Sequence, residues 1–262
     1  MRHGTRSEFR HLTCGVLLAA SVALFAGGCR GKPAQDALNT ALAPFRELPA
    51  EQQEPALRRA LADGSVPAAI VWYELGNLAY QASSAPDAPP PGANSATGRN
   101  APLDSALAYF QRASALDTLF VEPLVNAGLV WDDVAEGRDA IARNAVTAAR
   151  ECYQHAIRLR PDDEKARCNL GSLNFRRHQY AEAIEQFNAV LARNPRSALA
   201  HYNLAIMFAE SKMYREAIRE WEAAAESDGD GDIGERSRQN IKVIQDLMKS
   251  EVPAGLQEPS HS

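Results

Sequence analysis

Positive charge and long apolar runs are both scarce in this sequence. The 28 Lys and Arg are outnumbered by 33 Asp and Glu, which gives a formal net charge of −5 at pH 7. This balance provides no basic surface for a phosphate backbone, so no nucleic acid partner is expected. A single long apolar run and a mean hydropathy of −0.33 exclude a protein with several membrane spans.

The sequence also lacks the local patterns of catalysis. It contains neither a Gly-rich phosphate loop nor a nucleophile motif. His155, His178 and His201 occur singly in predicted helices, where we expect them to be surface or interface residues. The sequence therefore predicts no enzyme activity, no cofactor and no small-molecule substrate.

One acidic stretch has a composition similar to that of a metal-binding loop. Asp228, Asp230 and Asp232 alternate with glycines and superficially resemble a calcium loop of the EF-hand family. However, Ile233 stands where that loop needs glycine, and Gln239 stands where it needs a bidentate Glu. We therefore interpret the stretch as a flexible loop that caps a helix, and we predict no metal site.

The N-terminus has the composition of an export signal. Arginines at positions 2, 6 and 10 precede the apolar residues 12–26, as in secretory signal peptides. The segment ends in Gly27-Gly28-Cys29, which resembles the lipobox of bacterial lipoproteins. The resemblance implies removal of residues 1–28 and attachment of lipid to the Cys29 thiol. Ordinary cleavage near the glycines and an uncleaved anchor are the alternatives.

The lipobox resemblance also implies a location. A lipidated Cys29 would anchor the chain to a bacterial membrane without a spanning helix. Because no Asp follows Cys29, we expect the outer membrane, with the body in the periplasm or at the cell surface.

The rest of the chain contains an internal repeat. The series Leu170-Gly171, Tyr180, Ala183 and Phe187 recurs 34 residues later as Leu204-Ala205, Tyr214, Ala217 and Trp221. This is the length of a tetratricopeptide repeat (TPR), a hairpin of two helices, and the sequence resembles that family. The small residue at position 171 leaves room for the two helices of a hairpin to approach closely.

The resemblance implies an all-α fold, namely an α-solenoid of TPR helical hairpins with capping helices. We predict these divisions: a signal peptide (1–28), a tether (29–50), an N-terminal capping helix (51–68), the repeats (69–231), a C-terminal capping helix (232–250) and a flexible tail (251–262). The predicted repeats are 69–118, 121–161, 164–197 and 198–231. The first contains a Pro-rich insertion (82–103) and the second a short insertion near residue 137.

The first helix of each unit has a face that points away from its hairpin partner, and we predict that these faces line a concave groove for a partner peptide. Asn is suited to this role because its amide both donates and accepts hydrogen bonds. The predicted groove residues are Tyr73, Asn77, Asn126, Lys165, Asn169, Arg176, Tyr202 and Asn203.

Some TPR proteins hold the terminal carboxylate of a peptide in a clamp of Lys, Asn and Arg. In this sequence Asn77, Asn126 and Lys165 match that pattern. Tyr73 replaces the first Lys of the clamp and Asn169 replaces its Arg, so recognition of a terminal carboxylate is not the expected mode.

Two cysteines remain in the repeat region. Cys152 and Cys168 fall at similar heights on neighbouring predicted helices. A disulfide between them and a pair of packed free thiols are both compatible with an exported protein.

These features together predict a non-enzymatic, membrane-anchored TPR adaptor that binds protein or peptide partners in the bacterial cell envelope. One alternative is a pilotin-like lipoprotein that assists assembly of an outer-membrane secretin or pilus system. The other is an accessory subunit of an envelope enzyme.

Overall fold

The computed structural model describes residues 32–84, 101–135 and 140–251. The predicted signal peptide, Cys29, most of the Pro-rich insertion, the short insertion and the tail beyond residue 251 lie outside these ranges. The described residues form the following α-helices: α1 Lys32–Arg46, α2 Ala50–Asp63, α3 Ala68–Ser83, α4 Ala101–Leu116, α5 Glu122–Val134, α6 Ala140–Leu159, α7 Glu164–Arg176, α8 Tyr180–Leu191, α9 Ala198–Glu210, α10 Tyr214–Asp228 and α11 Asp232–Glu251.

The chain divides into two compact units, Met1–Pro44 and Phe45–Ser262. Helix α1 begins in the first unit, so much of the predicted tether is helical. In the second unit, α2 ends at Asp63 because Gly64 adopts a left-handed conformation with φ of 68°. The predicted N-terminal capping helix is therefore shorter than 51–68, and α3 begins after Pro67.

The second unit is a series of helical hairpins, as the resemblance implied. Helices α3 and α4, α5 and α6, α7 and α8, and α9 and α10 pack as pairs, and α11 packs on α9 and α10. No described helix is long and apolar enough to span a membrane.

An aromatic ring of the second helix lies against a glycine of the first helix in each of the first two hairpins. A Cβ placed on Gly76 would lie 2.5 Å from Cε1 of Phe110, and Gly128 stands in the same relation to Tyr153. Phe110 and Tyr153 are fully buried. The missing side chain lets the ring approach the backbone of the first helix, which joins the two helices of each hairpin.

Helix α11 occupies the place of a further first helix. Ile241 and Ile244 pack against the cluster of Ala205 and Trp221. Gln239 lies 34 residues after Ala205, at the position where the hairpins need a small residue, and it is exposed. A bulky residue is accepted there because no second helix of the described residues packs against that position of α11.

Polar groups connect consecutive hairpins at their edges. Arg160, at the end of α6, donates from Nη1 to Glu122 of α5 (2.9 Å) and to Asp163, the N-cap of α7 (3.0 Å). At the next junction, Glu164 accepts from both Asn194 and Ser197 at 2.8 Å. The side chains differ between the two junctions, but both connect the N-terminal end of the first helix of one hairpin to that of the next hairpin. Hydrogen bonds therefore fix the spacing of the hairpins, in addition to apolar contacts.

Candidate functional site

The candidate site is the first-helix surface, by which we mean the polar faces of α3, α5, α7 and α9. Each of these helices packs on the next, α3 on α5, α5 on α7 and α7 on α9. The predicted groove residues are therefore brought into one row, although the contacts they make within it differ from helix to helix.

Two asparagines bond to each other where α3 meets α5. Asn126 Nδ2 donates to Asn77 Oδ1 at 2.7 Å, across 49 residues of sequence. Asn77 Nδ2 in turn donates to Glu74 Oε2 at 2.7 Å. Both groups of the Asn77 amide are thus engaged within the protein.

Glu74 is a buried carboxylate that the sequence interpretation missed. Its side chain is only 6% exposed and forms a bidentate pair with Arg46, with Nε–Oε1 of 2.6 Å and Nη2–Oε2 of 2.9 Å. The hydrogen bond to Glu74 raises the pKa of Arg46. Glu74 stands two residues before Gly76, as Asn126 stands before Gly128, so alignment on the glycines would have identified it.

A polar cleft of about 310 Å³ opens beside this ion pair. Side chains of α2 and α3 form most of its wall, together with the guanidinium of Arg46. Its lining residues are Arg46, Gln53, Glu74, Asn77, Leu78, Tyr80 and Gln81.

A hydrogen bond between the equivalent positions, with donor and acceptor exchanged, occurs where α7 meets α9. Ser172 Oγ donates to Asn203 Oδ1 at 3.2 Å, and Asn203 Nδ2 donates to the carbonyl of Leu199 at 2.9 Å. Ser172 follows Gly171 directly, as Asn77 follows Gly76. Asn203 is therefore also committed to the protein itself.

The junction of α5 and α7 departs from this pattern. Leu129 follows Gly128 and occupies the place that Asn77 and Ser172 hold in their own hairpins. Because Leu has no hydrogen-bonding group, the half-buried Asn169 has no hydrogen-bond partner in the described part of the chain.

The two cations predicted for the site differ in availability. Arg176 forms an ion pair with Asp132 of α5, and its side chain is 46% exposed. Lys165 is exposed and forms no ion pair within the described ranges. Of the two, Lys165 is the one free to meet a ligand.

The structure corrects the prediction for Tyr73. Its residue is only 8% exposed, with its ring 5.2 Å from that of Phe120 and 6.1 Å from that of Phe110. Burial raises the pKa of its hydroxyl. The start of the next hairpin covers this face of α3, so Tyr73 is a core residue. Tyr202 is half-buried, and its hydroxyl accepts from Asn240 of α11 at 3.5 Å.

Cys152 and Cys168 are free thiols in this structure. Cys168 is fully buried and packs in the cluster with Ala183 and Phe187. Burial raises the pKa of Cys152 to about 11 and that of Cys168 to about 12.

The described residues hold no group of three or more His, Cys, Asp or Glu that could bind a metal ion. Asp228, from the acidic stretch, accepts the backbone N–H of Gly234 at 2.9 Å and so stabilises the turn into α11.

Sequence comparison finds the repeat family in the second half of the chain. Residues 168–233 match the profile described as "Tetratricopeptide repeat", and residues 137–177 match one described as "TPR repeat". No curated protein gives a significant match over the sequence.

Solved structures with the same architecture have low sequence identity. One is TTC0263, a thermophilic TPR protein of Thermus thermophilus, which has 13% identity and a TM-score of 0.61; the match covers 80% of this chain and 98% of that one. Another is a monomeric IFIT1 mutant with Gppp-AAAA, with 14% identity and a TM-score of 0.60, covering 77% of this chain and 44% of that one. These likenesses concern the fold. Such repeat folds generally serve as non-catalytic scaffolds for protein interaction.

Proposed function

Because the chain is a tetratricopeptide repeat protein, we propose that it binds protein or peptide partners through its first-helix surface while a lipid on Cys29 holds it at a bacterial membrane. In this role it is an adaptor of the cell envelope. It presents hydrogen-bonding groups to a partner and performs no catalysis.

The observation that carries this proposal is the row of polar residues that packing of α3 on α5, α5 on α7 and α7 on α9 brings together, with one interruption at Leu129. Asn77 and Asn126 lie within hydrogen-bond distance of each other, as do Ser172 and Asn203. A surface of this kind can follow an extended chain over several residues. An extended peptide needs regularly placed donors and acceptors because its own backbone groups are unpaired.

The charges on this surface support a partner with polar or acidic character. Lys165 is exposed, whereas the carboxylates of Glu74 and Asp132 are paired with arginines. A ligand would thus meet amides and an ammonium group, and the charges of these two carboxylates would be neutralised by their arginine partners.

Membrane attachment is supported by the N-terminal sequence. A basic leader, an apolar run and Gly27-Gly28-Cys29 occur in the order required for export and lipidation. Acyl chains contribute about 0.8 kcal/mol per buried methylene, so two or more would anchor the chain stably. Anchoring would raise the local concentration of the first-helix surface near other envelope proteins.

The role of the first-helix surface is tested by site-specific crosslinking in cells. We expect p-benzoylphenylalanine in place of Asn169 to crosslink a discrete partner upon irradiation. The matched control is the same group at Glu185, which is exposed on the second helix α8. Crosslinking only from position 185, or from neither position, would reject the first-helix surface as the binding face.

The anchor is tested separately with Cys29→Ala. The variant should accumulate unprocessed or leave the membrane fraction, and metabolic labelling with a palmitate analogue should be lost. A Cys152→Ala variant should keep its label and its location. If Cys29→Ala is processed, labelled and fractionated like the natural chain, the lipid anchor is wrong.

A further inference from the structure

We infer that His201 joins α9 to α10 as a doubly protonated imidazolium, which makes the fourth hairpin a pH-sensitive element that loses stability when this proton is lost. His201, Glu220 and Pro195 are together called the His201 clamp. The clamp joins parts of a single hairpin, so its role does not depend on partner binding by the first-helix surface.

Both ring nitrogens of His201 face oxygen acceptors. Nδ1 lies 2.7 Å from Oε2 of Glu220 on α10, and Nε2 lies 3.0 Å from the carbonyl oxygen of Pro195 in the loop before α9. The His201 side chain is 15% exposed and that of Glu220 is 28% exposed. These contacts connect the first turn of α9 both to its own loop and to the second helix of its hairpin.

The two acceptors determine which form of the ring fits. Neither a backbone carbonyl nor an ionised carboxylate can donate a hydrogen bond. A neutral imidazole has one N–H, so it would direct the lone pair of its other nitrogen at either Glu220 or Pro195. An imidazolium donates from both nitrogens and also pairs its charge with that of Glu220. The geometry therefore favours the protonated ring.

The third hairpin makes the same pair of bonds with an arginine. Arg167 stands 34 residues before His201. Its Nε donates to the carbonyl of Pro161 at 2.7 Å, and its Nη1 donates to Oε1 of Gln186 at 3.0 Å. The guanidinium keeps both donors because it does not lose its proton in proteins. This position of the repeat therefore requires two donors, which His201 provides only when it is charged.

The acceptors correspond in the same way. Pro161 and Gln186 stand 34 residues before Pro195 and Glu220. A permanent cation thus meets a neutral amide in the third hairpin, whereas a titratable ring meets a carboxylate in the fourth. The carboxylate supplies the charge that stabilises the second proton of His201.

Glu220 is the one charged group in contact with the imidazole among the described residues. Elsewhere on α10, Glu216 pairs with Arg219 at 3.1 Å. On α7, Glu164 accepts from two residues of the loop before α9. The described charged side chains of that loop, of α8 and of α11 are exposed. The clamp is therefore governed by the charges of His201 and Glu220.

The direction of the pH dependence follows from these contacts. The clamp stabilises the folded chain while His201 is charged, and this contribution disappears as the pH rises and the ring releases its proton. The third hairpin has no such dependence, because Arg167 stays charged. The fourth hairpin alone should therefore weaken through this position at higher pH.

Nitrogen NMR of the purified chain labelled with 15N-histidine tests the protonation state. The signals of His201 are assigned by their loss in His201→Arg. At about pH 6.5 an ordinary histidine is about half protonated. We expect His201 to be mostly protonated at this pH in the natural chain and mostly neutral in Glu220→Gln. Equal protonation in these two chains would overturn the inference.

Chemical unfolding at a series of pH values tests the effect on stability. The reference variant is His201→Arg, which copies the third hairpin and provides two permanent donors. From about pH 5.5 to about pH 8.5, the unfolding equilibrium constant of the natural chain should rise about tenfold relative to that of this variant, as expected for one partly screened charge-assisted hydrogen bond. The matched control is His155→Arg, which changes an exposed histidine of α6 and should follow the natural chain at each pH.

A second variant tests the pairing without a new charge at position 201. In Glu220→Gln the amide can accept from the imidazolium or donate to the neutral ring, so the pH-dependent part of the stability should be lost. Parallel pH dependences of the natural chain and His201→Arg would overturn the inference. Full retention of the pH dependence in Glu220→Gln would overturn it as well.

Discussion

Gly171 and Phe187 meet so closely that a Cβ on Gly171 would lie 2.7 Å from Cε1 of the Phe187 ring. Phe187 is 1% exposed and belongs to the cluster that joins α7, α8 and α9. The pair therefore fixes the distance between the two helices of the third hairpin and also contributes to its contact with the fourth.

Replacing Gly171 with Ala should destabilise the protein by about 1–3 kcal/mol, because the added methyl would force the ring or the helix to move. Guanidinium-induced unfolding followed by circular dichroism measures the loss. A second change, Phe187→Leu, should recover part of it in the double variant. Additive losses in the two variants would contradict direct contact between these residues.

Phe187→Ala should cost about 3–5 kcal/mol, since it removes a large buried side chain and leaves a cavity. The matched control is Glu185→Ala on the exposed face of the same helix, which should change stability by less than about 0.5 kcal/mol. Similar melting temperatures for the two variants would show that Phe187 does not belong to the core.

Lys212→Gly should stabilise the protein by about 0.5–1 kcal/mol. Lys212 is exposed and has φ of 59°, a left-handed conformation that costs a non-glycine residue energy. His178 lies 34 residues earlier with φ of 60°, but its Nδ1 lies 2.9 Å from the Tyr180 hydroxyl. His178→Gly loses that contact, so it should stabilise the protein less than Lys212→Gly does. Thermal unfolding of both variants measures the difference, and a lower melting temperature for Lys212→Gly would refute the prediction.

Arg46→Ala should destabilise the protein more than Glu74→Ala. Without Arg46, the largely buried carboxylate of Glu74 loses its charge partner and keeps only the hydrogen bond from Asn77, whereas without Glu74 the guanidinium of Arg46, already 42% exposed, can turn to water. We expect Arg46→Ala to lower the free energy of unfolding by about 2–3 kcal/mol. This loss is smaller than for a fully buried ion pair because solvent reaches Arg46. Urea unfolding of both single variants and of the double variant measures these losses of stability. Equal losses for Arg46→Ala and Glu74→Ala would contradict the prediction.

Cys168 should resist thiol reagents in the folded chain. Burial raises its pKa to about 12 and that of Cys152 to about 11, so at pH 8 both carry less thiolate than an exposed cysteine. With Ellman's reagent at pH 8, both thiols should react slowly in buffer. Both should react rapidly in about 6 M guanidinium, which unfolds most domains. Absence of titratable thiols after unfolding without reductant would instead indicate a disulfide.

The sequence was sufficient to predict the repeat because the repeat is a local pattern. The 34-residue spacing, the small residue of each first helix and the aromatic residue of each second helix identify the hairpins without tertiary information. It did not predict the burial of Tyr73. The helical period shows which face turns away from the hairpin partner, but it does not show that the next hairpin covers part of that face.

The helical hairpins, their order and the row of polar residues on the first helices thus follow from local sequence, since each depends on residues within one hairpin or on their recurrence one repeat later. Which of those residues are available depends instead on contacts between hairpins. Asn77 and Asn126 lie 49 residues apart and are paired, whereas Asn169 faces a junction where Leu129 replaces the polar residue. The physical reason is that a hydrogen bond between repeats depends on what the neighbouring helix places opposite each side chain.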